Sequence, residues 1–165
     1  MDNFKEQIVK KMPDKSDRMK KALIIAGAVV VAVLCFVLLK TLGIIFAGLA
    51  IYGGYYLLTN LFVEYEYILT GGEIDIDKII AQRSRKRLAT VKLSTAVEFG
   101  EAGQDLHVST NATFIKADAN DPAQKNYYIR LNHETLGETV LLFTPNDEML
   151  EMVKNNLPRN LRFGR

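Results

Sequence analysis

The sequence predicts an α+β chain: an N-terminal transmembrane helical hairpin, then a mainly antiparallel β domain closed by a C-terminal amphipathic helix. Three observations predict it. Two uncharged apolar runs, Ala22–Leu39 and Ile44–Leu61, stand only four residues apart. Beyond them, apolar residues alternate with acids in short runs separated by turn signals. Near the end, Thr144-Pro145-Asn146-Asp147 opens onto Met149, Leu150, Val153 and Leu157, a stripe at helical spacing stopped by Pro158.

Each apolar run has 18 residues, about 27 Å as a helix, close to the ~30 Å of a hydrocarbon core. A single helix through both would be about twice too long and would place Lys40 at its centre. A tight hairpin instead sets Lys40 at the far surface, where its ammonium reaches headgroups. The expected division is 1–21, a basic cytoplasmic lead; 22–61, the two-helix hairpin; and 62–165, a cytoplasmic β domain with its helix. Phe4, Ile8 and Met12 recur every four residues before Pro13. Two readings follow: a short amphipathic helix on the membrane surface, or a frayed lead that only sets topology. Lysines and arginines flank the first run, and Lys78, Arg83, Arg85, Lys86 and Arg87 follow the second, which places both termini in the cytoplasm of a two-span cell-membrane protein.

Within the hairpin, Ala22/Ala26, Ala28/Ala32 and Ala50/Gly54 are small residues four apart, a spacing that lets helix backbones approach. It serves packing between the two spans or between two copies, a homo-oligomer. Tyr55, Tyr56, Tyr65 and Tyr67 gather near the exit, as interfacial aromatics do. Neither run holds an ionisable group, which argues against an ion or proton path through this chain alone. The lone cysteine, Cys35, reads as a helix-packing or lipid-facing thiol.

The β domain opens with Val63–Thr70, turns at Gly71-Gly72 and continues through Glu73–Asp77. Leu69 then faces Ile74 and Tyr67 faces Ile76, while Glu66, Asp75 and Asp77 collect on the other side. A third strand, Ala89–Leu93, follows the basic Gln82–Leu88; its arginines either pair with Asp75 and Asp77 or touch anionic headgroups, about 1 kcal/mol per basic residue. Ser94–Phe99 reads as one helical turn capped by Ser94, and Gly100 and Gly103 flank a loop. Asp105–Ser109, Ala112–Lys116, Asn126–Asn132 and Glu138–Phe143 complete seven strands, with Ala117–Lys125 as the clearest loop and a turn between Asn132 and Gly137. Thr144 is the expected cap of the last helix, with Pro145 in its first position.

A net charge of +2 does not argue for nucleic acid. His107 and His133 have no cysteine or second histidine nearby, so no zinc site is expected. No phosphate-cradling loop, nucleophile elbow or metalloprotease helix occurs. Asn111-Ala112-Thr113 fits a glycosylation acceptor that a cytoplasmic domain would not present to that machinery. No catalytic residue and no cofactor is expected.

The step Tyr67-Ile68-Leu69-Thr70, followed by Gly71-Gly72, Ile74-Asp75-Ile76 and a basic strand ending in Val91-Lys92-Leu93, resembles the start of bacterial pleckstrin-homology-like (PH-like) domains that follow membrane spans. Leu141-Leu142-Phe143-Thr144-Pro145-Asn146, with Leu157-Pro158-Arg159, resembles the end of an uncharacterised family of small two-span Gram-positive bacterial membrane proteins. The resemblance implies the fold and the membrane. Lys78, Arg83 and Arg85 also match the spacing of a lipid-binding PH signature, displaced from the first loop to the second strand and beyond. The expected role is a membrane-anchored, non-catalytic scaffold that binds a protein partner and membrane lipids. The alternative is an accessory subunit of a larger membrane complex, docked through the hairpin.

Overall fold

A computed structural model describes residues 4–103 and 112–162. The expected strand Asp105–Ser109, with His107, and Asn111 of the glycosylation triplet lie outside the described residues. The chain divides into two compact units. One joins the N-terminal segment to Glu64–Ile79 and the chain from Ser84 onward; the other holds Pro13–Val63 and Ile80–Arg83.

The second of these units is helical. Asp14 caps α1 (Lys15–Leu39) through a reciprocal bond set with Asp17, so the helix starts seven residues before the apolar run. It ends where expected, at Leu39. Lys40 takes a left-handed φ of 48°, a short 3₁₀ turn covers Lys40–Leu42, and α2 (Gly43–Thr59) follows. The helical stretch from Lys15 to Thr59 contains an 18-residue window of mean hydropathy 3.2 with none of its residues buried, long and apolar enough to cross a membrane.

The two helices pack on each other through small residues. A Cβ on Gly54 would lie 2.7 Å from that of Ala28, and one on Gly43 would run into the Cys35 carbonyl oxygen. Ala28, Ala32 and Cys35 on α1, and Gly43, Ala47, Ala50 and Gly54 on α2, are shielded, with Ile24 and Leu58 shielded toward the other end of the pair. Ala22 and Ala26 are exposed and take no part in that stripe.

The other unit is built from two four-stranded sheets. The first has the order β1 (Phe4–Lys10), β2 (Val63–Thr70), β3 (Glu73–Ile80), β4 (Ser84–Lys92). Its turns differ in legibility. Gly71 and Gly72 both sit at positive φ, as a two-residue hairpin turn demands. Ala81 and Gln82 do the same at φ 55° without glycine, closed by the Arg83 N–H bond to the Ile80 carbonyl at 3.1 Å. The second sheet runs β5 (Ala96–Glu101), β7 (Tyr127–His133), β8 (Gly137–Phe143), β6 (Thr113–Ala117); β6 lies parallel to β8, and the other pairs are antiparallel. Helices α3 (Asp147–Asn156) and α4 (Arg159–Arg162) close the chain.

Three local expectations are corrected. The lead is not a surface helix or a frayed segment: β1 pairs antiparallel with β2 from Phe4↔Thr70 to Lys10↔Glu64. A spacing of four suits one helix face, but it is also even and suits one strand face. The intervening residues decide. Val9 is buried, the Gln7 amide donates to the Thr144 carbonyl at 3.0 Å and accepts from the Asn146 N–H at 2.9 Å, and Lys5 pairs with Glu148. Ser94 caps nothing; Leu93–Thr95 is a 3₁₀ turn with Leu93 buried, and Ala96–Phe99 belongs to β5. Thr144 is not the cap of α3. Its hydroxyl is buried, accepting from the Ala119 N–H at 2.8 Å and donating to Asn126 Oδ1 at 2.6 Å, so Asn146 caps by accepting from the Met149 N–H at 2.8 Å.

Tyr67 stands at the centre of this unit. Its ring meets Phe143 edge-on at 5.8 Å, its hydroxyl donates to the Ala117 carbonyl, and it accepts from the Thr144 N–H at 3.2 Å. One side chain of the first sheet thereby satisfies backbone groups at the ends of β6 and β8. Met149, Val153 and Leu157 of the predicted stripe are fully buried alongside.

Candidate functional site

The candidate site is the basic β4 strand and the acids beside it. Alternation along β2 and β3 turns Tyr65, Tyr67, Leu69, Ile74 and Ile76 into the core. The same alternation gathers Glu66, Asp75 and Asp77 on the opposite face. The counter-charge comes from β4: Arg85 Nη2 lies 2.8 Å from Glu66 Oε1, and Arg87 meets Asp75 at 2.7 Å and also binds Asp77. Thr90 Oγ1 donates to Asp75 at 2.6 Å.

The electrostatics follow from burial. Glu66 is 1% exposed, and its Oε2 has no hydrogen-bond partner. Burial pushes its carboxyl above the usual carboxylate value, reinforced by Glu6 and Asp77, while Arg85 pulls the other way. The hydrogen bond to Asp77 holds the Arg87 guanidinium more firmly protonated, with Asp75 adding to it.

The five predicted contact residues therefore separate. Arg87 is matched to Asp75 and Asp77, as the cross-strand reading expects, whereas Arg85 is matched to Glu66 instead. Lys86 is exposed on β4, and Lys78 is half-buried on β3. Arg83 belongs to the helical unit. Its Nη2 donates to Thr59 Oγ1 at 2.8 Å, and its guanidinium carbon lies 4.8 Å above the centre of the Tyr56 ring. Sequence reasoning placed Arg83 among the basic residues but missed its partners. A turn of Ala-Gln carries no signal that it returns to the end of α2.

Near the opposite end of β4, an open groove of about 410 Å³ runs between β4 and the β7–β8 turn, lined among others by Leu88, Lys92, His133 and Leu136. His133 Nδ1 accepts from the Thr135 N–H at 3.2 Å, leaving Nε2 to donate to the Thr90 carbonyl at 3.1 Å. Lys92 and Glu134 close it with an ion pair at 2.6 Å. The histidine thus fastens the turn to β4.

Two sheets with a helix against them, interrupted after their first strand by a pair of apolar helices, define an α+β protein with a PH-like domain. The chain belongs to the family described as Bacterial PH-like domain (DUF6106), whose model matches residues 1–163. No curated protein and no solved structure matches it.

Proposed function

We propose that this chain is a non-catalytic interaction module, anchored at the inner leaflet of the cell membrane by two spans, that presents its PH-like domain to a protein partner and contacts anionic lipid headgroups. The observation that carries the reading is the β1–β2 register. Phe4–Lys10 precedes the apolar helices and Val63–Thr70 follows them, yet the two pair residue by residue. Strands that pair must lie on one side of a membrane. The apolar stretch between them therefore crosses an even number of times, and α1 and α2 supply two crossings.

Lys15, Arg18, Lys20 and Lys21 open α1, whereas Lys40 alone marks the far end. That asymmetry favours the cytoplasm for the β domain. The small-residue stripe is spent on holding α1 to α2, which favours the tethered-domain reading over an accessory subunit docked through that stripe.

Topology tests this. In a Cys35→Ala background, Thr41→Cys should react with an impermeant maleimide added to intact cells, and Lys125→Cys should react only after permeabilisation. Labelling of Lys125→Cys from outside, or release of the protein from membranes by alkaline carbonate, would overturn the reading.

A further inference from the structure

We propose that Arg83 is the lipid-reading residue of this chain, its guanidinium clamping the phosphate of an anionic glycerophospholipid at the end of α2. The inference deepens the functional reading above and rests on its membrane placement.

Arg83 differs from the other arginines of its segment in what it touches. Arg85 and Arg87 meet carboxylates. Among the described residues no carboxylate pairs with Arg83; its partners are a hydroxyl and a ring face, both neutral. The Thr59 hydroxyl donates to the Tyr56 carbonyl at 2.8 Å while accepting from Arg83, so one short chain of bonds fixes the guanidinium edge. Among the described residues one of its five N–H donors is engaged, that to Thr59. A planar fork held by stacking suits two phosphate oxygens at once.

The backbone beneath it is built for this position. Ala81 and Gln82 occupy the left-handed region without glycine, at about 1–2 kcal/mol each. The turn is pinned by the Ala81 N–H bond to the Phe62 carbonyl at 2.9 Å. The depth fits as well. Gly54 meets Ala28, and five helical residues, about 7.5 Å, lead from Gly54 to Thr59 and equally from Ala28 back to Leu23. Thr59 thus stands level with the start of the apolar run, within one helical turn along α1 of the level of Lys20 and Lys21, the height of the phosphates when the helices span. Exposed Tyr55 and Phe62 flank it as interfacial aromatics. An anionic lipid fits better than a zwitterionic one because its phosphate brings no cation of its own to compete.

Native mass spectrometry of the full chain, released from detergent with equimolar phosphatidylglycerol and phosphatidylcholine, tests the assignment. Wild type should retain phosphatidylglycerol preferentially. Arg83→Gln should lower that occupancy about fivefold, the weight of one basic residue near an anionic surface. Arg83→Lys should fall between, and Arg85→Gln should stay within about twofold of wild type. Equal retention by Arg83→Gln and wild type overturns the proposal, as does an equal loss in Arg85→Gln. Flotation with vesicles separates the two claims: wild type failing to float sinks the membrane reading, whereas a floating Arg83→Gln with intact lipid retention sinks only this one.

Discussion

The helical unit and the β unit use the same apolar residue types in opposite ways. In the β unit Leu69, Ile74, Ile76 and Ile129 are fully buried. In the helical unit Leu38 is 73% exposed, Leu23 and Val37 are 65% exposed, and the close approaches across the helix pair are made at Gly54 and Gly43. Soluble monomers rarely expose contiguous apolar surface of this extent. One unit is held by squeezing water out of its centre; the other is held by close backbone approach and keeps most of its large apolar side chains outside. Under the proposed function lipid covers that outer surface.

Matched substitutions can break this contrast. Leu69→Ala removes a fully buried side chain and should cost about 3 kcal/mol of domain stability, whereas Leu38→Ala should change it by less than about 0.5 kcal/mol. Denaturation in detergent, followed by loss of the near-ultraviolet tyrosine signal, compares them. Similar losses would erase the distinction between the units.

A second pair sharpens the helical side. A side chain on Gly54 runs into Ala28, while nothing lies within 4 Å of a Cβ on Gly53. Gly54→Leu should therefore weaken helix pairing by about 1–3 kcal/mol, and Gly53→Leu should not. Distances between spin labels on α1 and α2 would report it, and an unchanged distance distribution in Gly54→Leu would contradict the packing described here.

The smallest effect concerns Glu66. Burial raises its carboxyl above the ordinary value of 4.5, so folding favours the protonated form. The stability this group contributes is full below that ordinary value and is lost as pH rises through the raised one. Glu66→Gln keeps a neutral group in place. The Arg85 pair it gives up is weak, because Arg85 is more than half exposed. The variant should melt at or above wild type at pH 7, and the gap should shrink toward pH 4. A variant that is markedly less stable at pH 7 would mean that the ion pair outweighs the desolvation.

What was legible in the sequence was local chemistry. Gly71-Gly72 turned as expected because both positions need positive φ, and Lys40 broke the helix because it closes one uncharged run and precedes another. Ala28, Ala32, Ala50 and Gly54 lie on the packed stripe as their spacing allows. Spacing alone could not separate them from Ala22 and Ala26, since every small residue on a helix repeats with some other. The candidate site was half legible: alternation put Glu66, Asp75 and Asp77 on one face, and the arginines after them supplied the matching charge. The separate place of Arg83 was not, because it depends on a glycine-free turn meeting the end of a helix more than twenty residues earlier.

The sequence by itself determined where apolar surface is concentrated, where the chain must turn and which charges can match, since each depends on residues within a few positions of one another. Only the tertiary structure decided that Phe4–Lys10 is a strand, that Thr144 gives its hydroxyl to Ala119 and Asn126 rather than to α3, and that the apolar helices interrupt the β domain after its first strand. Those outcomes rest on partners far away in the chain. An even spacing serves helix and strand alike until such a partner pairs with one of them.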